Sequence, residues 1–202
     1  MTDAAGIRQC VENWVVWRDA GDWERFATVW HSDGWMTATW FQGPASKFIE
    51  VSREGFERGV NILHALNGWS CDIRGTRAIS QAKMNIFQRA TLDGVLVDVT
   101  CWGRFYDFFE KRDDTWAIVR RQPIYEKDRL DLVDPSASLK LDAALLTTFP
   151  EGYKHLGYLQ TRNGFNVKLG LPGLRGPEVQ RLYADGKAWL AGSPTAGADY
   201  RS

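Results

Sequence analysis

Between residues 61 and 126 the chain reads as four consecutive strands, and this run limits most strongly what the fold can be. β-Branched and aromatic residues recur through 61–74, 76–91, 95–112 and 115–126, with Arg74-Gly75-Thr76 closing the first strand and Asp93-Gly94 separating the second from the third. Asp-Gly suits a two-residue hairpin, whose central positions need left-handed backbone angles. Strands of this length exceed the usual ~5–6 residues, so they must bend, and Gly103 and Ser80-Gln81 are the expected bending points. A bent antiparallel meander encloses a concavity.

The residues before this run are mostly helical. Ile7, Cys10, Val11, Trp14 and Val15 fall at i, i+3, i+4, i+7 and i+8, which predicts an amphipathic helix over 4–18 ending near Asp19. A second helix is expected over 22–31, capped by Asp22 and burying Phe26, Val29 and Trp30. Trp35 to Phe41 reads as a short strand closed by Gln-Gly-Pro, and 45–58 as a third helix carrying Phe48, Ile49 and Phe56. Helices followed by a curved meander give an α+β cone, with the helices on one face of the sheet and a pocket inside. Residues 1–128 are expected to form this domain and 129–202 an extension with helical stretches at 139–146, 151–160 and 177–190. The extension is too apolar for a disordered tail, and it either wraps the core, covers the pocket or packs on a neighbouring subunit. The last ten or so residues read as disordered.

Lysine plus arginine and aspartate plus glutamate balance at 25 each, so no net field draws nucleic acid or an acidic membrane surface. No basic leader precedes an apolar run, and no stretch approaches the roughly 18 apolar residues needed to span a bilayer, which makes the cytoplasm the default location. Cys10, Cys71 and Cys101 are widely spaced and read as reduced core residues. No metal site is expected, because neither histidines nor acids show a ligand spacing such as H-x-x-x-H. No G-x-G-x-x-G, P-loop or G-x-S-x-G motif follows a strand, so no cofactor is expected and acid/base chemistry remains.

Three histidines supply the candidate bases. His31 is expected to close the second helix, and His155 lies in the extension beside Tyr153 and Lys154, where a surface or interface role suits it. His64 sits on the first long strand in Ile62-Leu-His-Ala-Leu-Asn67. A carboxylate such as Asp19 that binds one imidazole nitrogen fixes the tautomer and raises the basicity of the other. On residues alone, Asp19 is equally a solvated acid between two helices. Strict alternation on the fourth strand groups Val119, Arg121 and Tyr125 on one face and Trp116, Ile118 and Arg120 on the other. Tyr125 is a candidate proton donor, and Trp14, Trp40, Trp69, Trp102 and Phe105 are candidate pocket aromatics. Asp98 faces either solvent or the cavity.

The run Asp19 to Met36, with Arg25-Phe-Ala-Thr-Val-Trp30 inside it, the strand Ile62 to Ala78 and the closing Glu110 to Arg121 resemble the SnoaL-like branch of the NTF2-like superfamily. Within that branch they are similar to hexachlorocyclohexane dehydrochlorinase, a cofactorless lyase related to scytalone dehydratase. The resemblance covers about residues 5–126. It implies that Asp19 and His64 form a catalytic dyad and that Arg121 stabilises a leaving group. Trp14 stands where the dehydrochlorinase has a lysine, which implies a larger, mostly aromatic, hydroxylated substrate. The implied activity is a dehydratase-like elimination or C–C bond cleavage. An isomerase or cyclase of the same fold, or a non-catalytic small-molecule or protein-binding domain, stays open. An exposed sheet face is expected to support a homodimer or homotrimer.

Overall fold

Helix α1 (Asp3–Ala20) begins where the Thr2 hydroxyl accepts the Ala5 N–H. It ends at Gly21, whose left-handed φ of 71° lets its N–H reach the Arg18 carbonyl while Asp22 N–H reaches that of Trp17. This computed structural model describes residues 2–197. Ile7, Val11, Trp14, Val15 and also Arg18 form the buried stripe of α1. Asp22 then caps a second helix, α2, of five residues only (Trp23–Ala27). The expected continuation to residue 31 is corrected: Trp30–Thr37 is strand β1, pairing in parallel with the last long strand. Tertiary pairing there overrides the local helical spacing. Strand β2 (Gln42–Pro44) and helix α3 (Ala45–Glu57) follow.

The meander forms as expected, with β3 (Asn61–Arg74), β4 (Arg77–Leu92), β5 (Val95–Arg112) and β6 (Thr115–Leu132). The six strands form one curved, open sheet in the order β2-β1-β6-β5-β4-β3. Asp93 and Gly94 have φ of 49° and 84°, the left-handed pair that the hairpin requires. Strand β6 runs past the expected end at 126, and Leu132 still pairs with Val97. The register breaks opposite Trp102/Gly103, where Glu126 is the extra residue, and a Cβ at Gly103 would collide with the Ile124 carbonyl. Of the two positions considered for a bend, the register shifts at Gly103, whereas Ser80 and Gln81 pair continuously with β3 and β5.

A second bulge places Val119 between Ile118, which faces Phe109, and Arg120, which faces Phe108. The extra residue reverses the alternation. Trp116, Ile118, Arg121 and Tyr125 therefore share the helix-covered face, while Val119, Arg120 and Ile124 turn to the other. The expected grouping of Val119 with Arg121 is corrected accordingly.

On the helix-covered face, Trp14, Phe26, Phe48, Phe105 and Phe109 form the main core together with Tyr153, Leu156, Tyr158 and Leu159 of the extension. Each such side chain contributes about 1.5–3 kcal/mol when taken fully out of water. The extension comprises α4 (Ala143–Leu146), a 3-10 turn (Glu151–Tyr153), α5 (Lys154–Arg162) and α6 (Pro177–Leu190). Buried Asp128 accepts from the His155 ring at 2.9 Å and from Leu156 N–H at 2.7 Å, pinning the start of α5 to β6. Helix α6 covers part of the opposite sheet face, where Val179, Leu182 and Trp189 pack on Ile79, Tyr106 and Phe108. The disorder expected at the C-terminus is not found over residues 193–197: Arg77 binds the Ser193 carbonyl and Arg120 the Ala196 carbonyl. Residues 198–202 lie outside the described residues.

The centre of the main core holds an ion pair. Arg121 gives Nε to Asp107 Oδ1 at 2.7 Å and Nη2 to Oδ2 at 2.6 Å, with both side chains 0% exposed. The guanidinium lies 4.3 Å from the Trp14 ring centre and 4.0 Å from that of Phe105. Asp107→Asn leaves an uncompensated buried cation and should cost about 3–5 kcal/mol in urea denaturation. Truncating the exposed Arg89 that binds Asp98 on the strand surface should cost no more than ~1 kcal/mol.

Candidate active site

Two backbone facts bring Asp19 and His64 together. Asp19 occupies the last turn of α1, and His64 lies on β3, the edge strand against which that helix ends. Asp19 Oδ1 lies 2.9 Å from His64 Nδ1, and Asp19 Oδ2 accepts the His64 backbone N–H at 2.6 Å. An acceptor at Nδ1 assigns the proton to that nitrogen and leaves Nε2 with its lone pair. Trp14 meets the imidazole edge to face at 5.3 Å and 87°, and Phe105 lies tilted at 6.1 Å, so the ring is held on three sides.

The His64 pKa is lowered, chiefly because burial disfavours the imidazolium. Asp19 opposes this, and the charges of Arg18 and Arg121 add to it. The expected net rise in basicity is thus corrected: desolvation outweighs the carboxylate, and the imidazole is neutral near pH 7.

His64 lies in the wall of a narrow chamber of about 40 Å³ together with Trp14, Trp40, Phe105 and Tyr125. A second chamber of about 30 Å³ shares Arg18, Trp40, Ile62, Gln88 and Gln160 with the first and adds Ser52, Phe56 and Arg58. The Tyr125 hydroxyl is pushed well above its ordinary pKa by burial, so it is a donor and not a base. Thr39 gives its hydroxyl to Gln160 at 2.6 Å, and Gln160 gives its amide to Gln88 at 3.1 Å, forming a polar chain along the wall. Helix α5 thus supplies Leu156 and Gln160 to the cavity of its own chain.

Other sequence candidates lie elsewhere. Arg121 lines neither chamber and stands behind Trp14 and Phe105. Trp69 is on the helix-covered side, but its indole N–H is given to Ser80 at 2.8 Å, away from both chambers. Trp102 lines neither chamber, and Lys127 covers its ring at 5.0 Å. His31 is on β1 and not at a helix end, with Nε2 2.8 Å from the Glu110 carbonyl. Asp98 faces outward in its pair with Arg89. Cys10 and Cys101 are buried thiols, and Cys71 is half-buried on β3. Among the described residues no three His, Cys, Asp or Glu side chains gather as a metal site, and no helix is long and apolar enough to cross a membrane.

The residues that sequence reasoning missed are Arg18, Ser52, Gln88 and Gln160. Arg18 continues the stripe of Trp14 and Val15, and Ser52 continues that of Phe48 four residues on. A polar residue in step with an apolar stripe was the available signal. A larger groove of about 310 Å³ near the start of α1 is open to solvent and contains no histidine.

Residues 1–122 match the SnoaL-like domain family. Over 197 residues the chain is 34% identical to pea pathogenicity protein 2 of Fusarium vanettenii, spanning 92% of this chain and 84% of that one. Its fold is similar to that of a protein assigned as a scytalone dehydratase from Novosphingobium aromaticivorans (TM-score 0.54, 17% identity, 68% of this chain and 95% of that one). It is also similar to that of a hexachlorocyclohexane dehydrochlorinase (TM-score 0.55, 10% identity, 68% and 95%). At such identities the likeness is one of fold.

The lowered His64 pKa has a consequence for stability. The unfolded chain binds this proton more readily than the folded one, so the contribution is complete above about pH 6.5 and is lost as pH falls below that toward the lowered value. Urea midpoints of the wild type should therefore drop on acidification from pH 6.5, and His64→Gln should show a shallower drop. Parallel profiles would show that burial does not set this pKa.

Proposed function

The chain belongs to the SnoaL-like domain family, and on that premise we propose that it is a cofactorless lyase that eliminates water from a small hydroxylated carbonyl compound. The observation that carries this reading is the Asp19 carboxylate on His64 Nδ1, with the imidazole set in the wall of a cavity. His64 Nε2 takes a proton from the carbon beside the carbonyl, and Asp19 stabilises the imidazolium that forms. The electron pair moves to the carbonyl oxygen as an enolate, which then expels the β-hydroxyl. The hydroxyl leaves as water with the proton returned from His64. Tyr125, kept protonated by its burial, supports the departing oxygen by donating a hydrogen bond. Arg121 acts at one remove, holding Trp14 and Phe105 against the imidazole.

The chambers are smaller than the roughly 150 Å³ that holds a benzene ring. This size favours a compact substrate. Trp40 belongs to both walls, so an aromatic substrate would require this ring to move.

The test is a panel of β-hydroxy ketones incubated in D2O, read by mass for loss of water and for deuterium at the carbon beside the carbonyl. His64→Ala and Asp19→Asn should lower both rates by about 10²–10⁴-fold. The kcat/KM profile should lose activity only below pH 6.5, since the base works unprotonated and its pKa is lowered. Deuterium uptake without loss of water, with the substrate converted to a structural isomer, would make the protein an isomerase. Unchanged rates in both variants would remove the dyad from the chemistry.

A further inference from the structure

The second chamber is lined by two residues that each carry a buried polar atom the fold does not use. Arg18 is 6% exposed and Ser52 3% exposed, both line this chamber, and neither Arg18 Nε nor Ser52 Oγ has a hydrogen-bond partner. The other end of the Arg18 guanidinium is committed: Nη1 is given to the Ile62 carbonyl at 3.0 Å and to Asp19 Oδ1 at 3.2 Å. Ser52 leaves its hydroxyl unpartnered although it sits within α3, where a bond back to the preceding turn is the usual alternative. A buried donor without a partner costs about 1–3 kcal/mol, so two beside one cavity require an explanation.

We propose that Arg18 Nε and Ser52 Oγ are the paired donors of a subsite that takes a neutral acceptor oxygen of the ligand, a carbonyl and not a carboxylate. The inference rests on reading the His64 cavity as a ligand site, and it names the part of the ligand held where that cavity meets Arg18, which lines both chambers. The charges decide between the two oxygens. Arg18 and Asp19 cancel, with side chains 8% and 13% exposed, His64 beside them is neutral, and Arg58, the other cation of the chamber wall, is exposed and faces Glu54. A carboxylate would add an uncompensated buried anion, whereas a carbonyl adds none. When a proton passes from the ligand carbon to His64, the imidazolium faces Asp19 and the enolate oxygen faces Arg18. The one buried ion pair becomes two, and no net charge is added. Arg18 is therefore placed to hold the oxygen on which charge develops, with Ser52 fixing the oxygen's position.

The test uses acetone labelled with ¹³C at the carbonyl, small enough for the chambers, bound to the full chain and to its His64→Ala variant. Affinity is read by titration and the C=O stretch by difference infrared spectroscopy. Both proteins should lower the carbonyl frequency. Ser52→Ala should weaken binding about tenfold and Arg18→Met about 10–100-fold, with the frequency returning toward its value in water. Ser52→Ala removes a hydroxyl that no fold contact uses, so its urea midpoint should stay level or rise while affinity falls. A merely structural serine would not give that pattern, and the variant keeps the test decisive if Arg18→Met does not fold. Wild-type affinity and frequency in Ser52→Ala would overturn the subsite, as would tighter binding of acetate than of the ketone. A shifted carbonyl in a protein that exchanges no deuterium would sustain the subsite and overturn the catalytic reading; exchange without a shift would do the reverse.

Discussion

The grip of the last turn of α1 on strand β3 is the interaction on which the rest of the site depends. β3 is an edge strand, and an edge presents backbone groups with no sheet partner. At Ile62 and His64, residues two apart and so of the same parity, those groups are taken by a helix. Arg18 donates to the Ile62 carbonyl and Asp19 accepts the His64 N–H. The pair that orients the imidazole is thus the pair that closes the open edge of the sheet. Gly21 makes the placement possible, because its left-handed turn lets α1 stop at Ala20 with both side chains facing the strand. Structural and chemical demands on Asp19 are not separable, since one oxygen serves the backbone and the other the ring.

The features legible in the sequence were those carried by periodicity and by turn chemistry. The stripe of α1, the four strands and the left-handed pair at Asp93-Gly94 all follow from residues close in sequence. Asp19 and His64 were singled out through a family resemblance, and the fold puts them in contact across 45 positions. The misreadings share a cause. Trp30 and His31 continue a helical spacing, but β6 offers β1 a full strand to pair with. Arg121 was assigned its neighbours by strict alternation, which the bulge at Val119 reverses. Its partner Asp107 lies 14 positions away on the adjacent strand, a pairing fixed by register and not by any local pattern. Arg18 and Ser52 are not legible in a stripe read for its apolar members, although both are buried in it.

The abundance of aromatic residues has a mechanical explanation in this fold. Trp14 contacts Phe26, Phe48, Phe105 and His64 through its ring and takes the Arg121 guanidinium on one face. Rings of this size fill the cone until only narrow chambers remain, and they leave the imidazole little freedom to turn. The extension completes the enclosure from the sheet side, with Asp128 locking the start of α5 so that Gln160 and Leu156 reach the wall. Dense packing around a few oriented polar atoms keeps water sparse, which strengthens every remaining electrostatic contact.

That dry setting also limits the chemistry. Burial and two nearby guanidinium groups, Arg18 and Arg121, lower the proton affinity of His64 further than Asp19 restores it. A base so weakened is free of its own proton at neutral pH, but it cannot take one from an ordinary C–H bond. It needs a substrate whose conjugate base the site stabilises as it forms. The cation that depresses His64 from one side, Arg18, lines the cavity and has an unused N–H, so on the proposed reading a single charge weakens the base and holds the developing anion. The two effects act at different moments. Asp19 already touches both Arg18 and the imidazole in the resting site, and on the proposed reading its charge balances the imidazolium after proton transfer while that of Arg18 balances the enolate. Stabilisation of the product oxygen would then be conditional on the proton having moved, and under the proposed reading that condition limits which carbon acids the site can use.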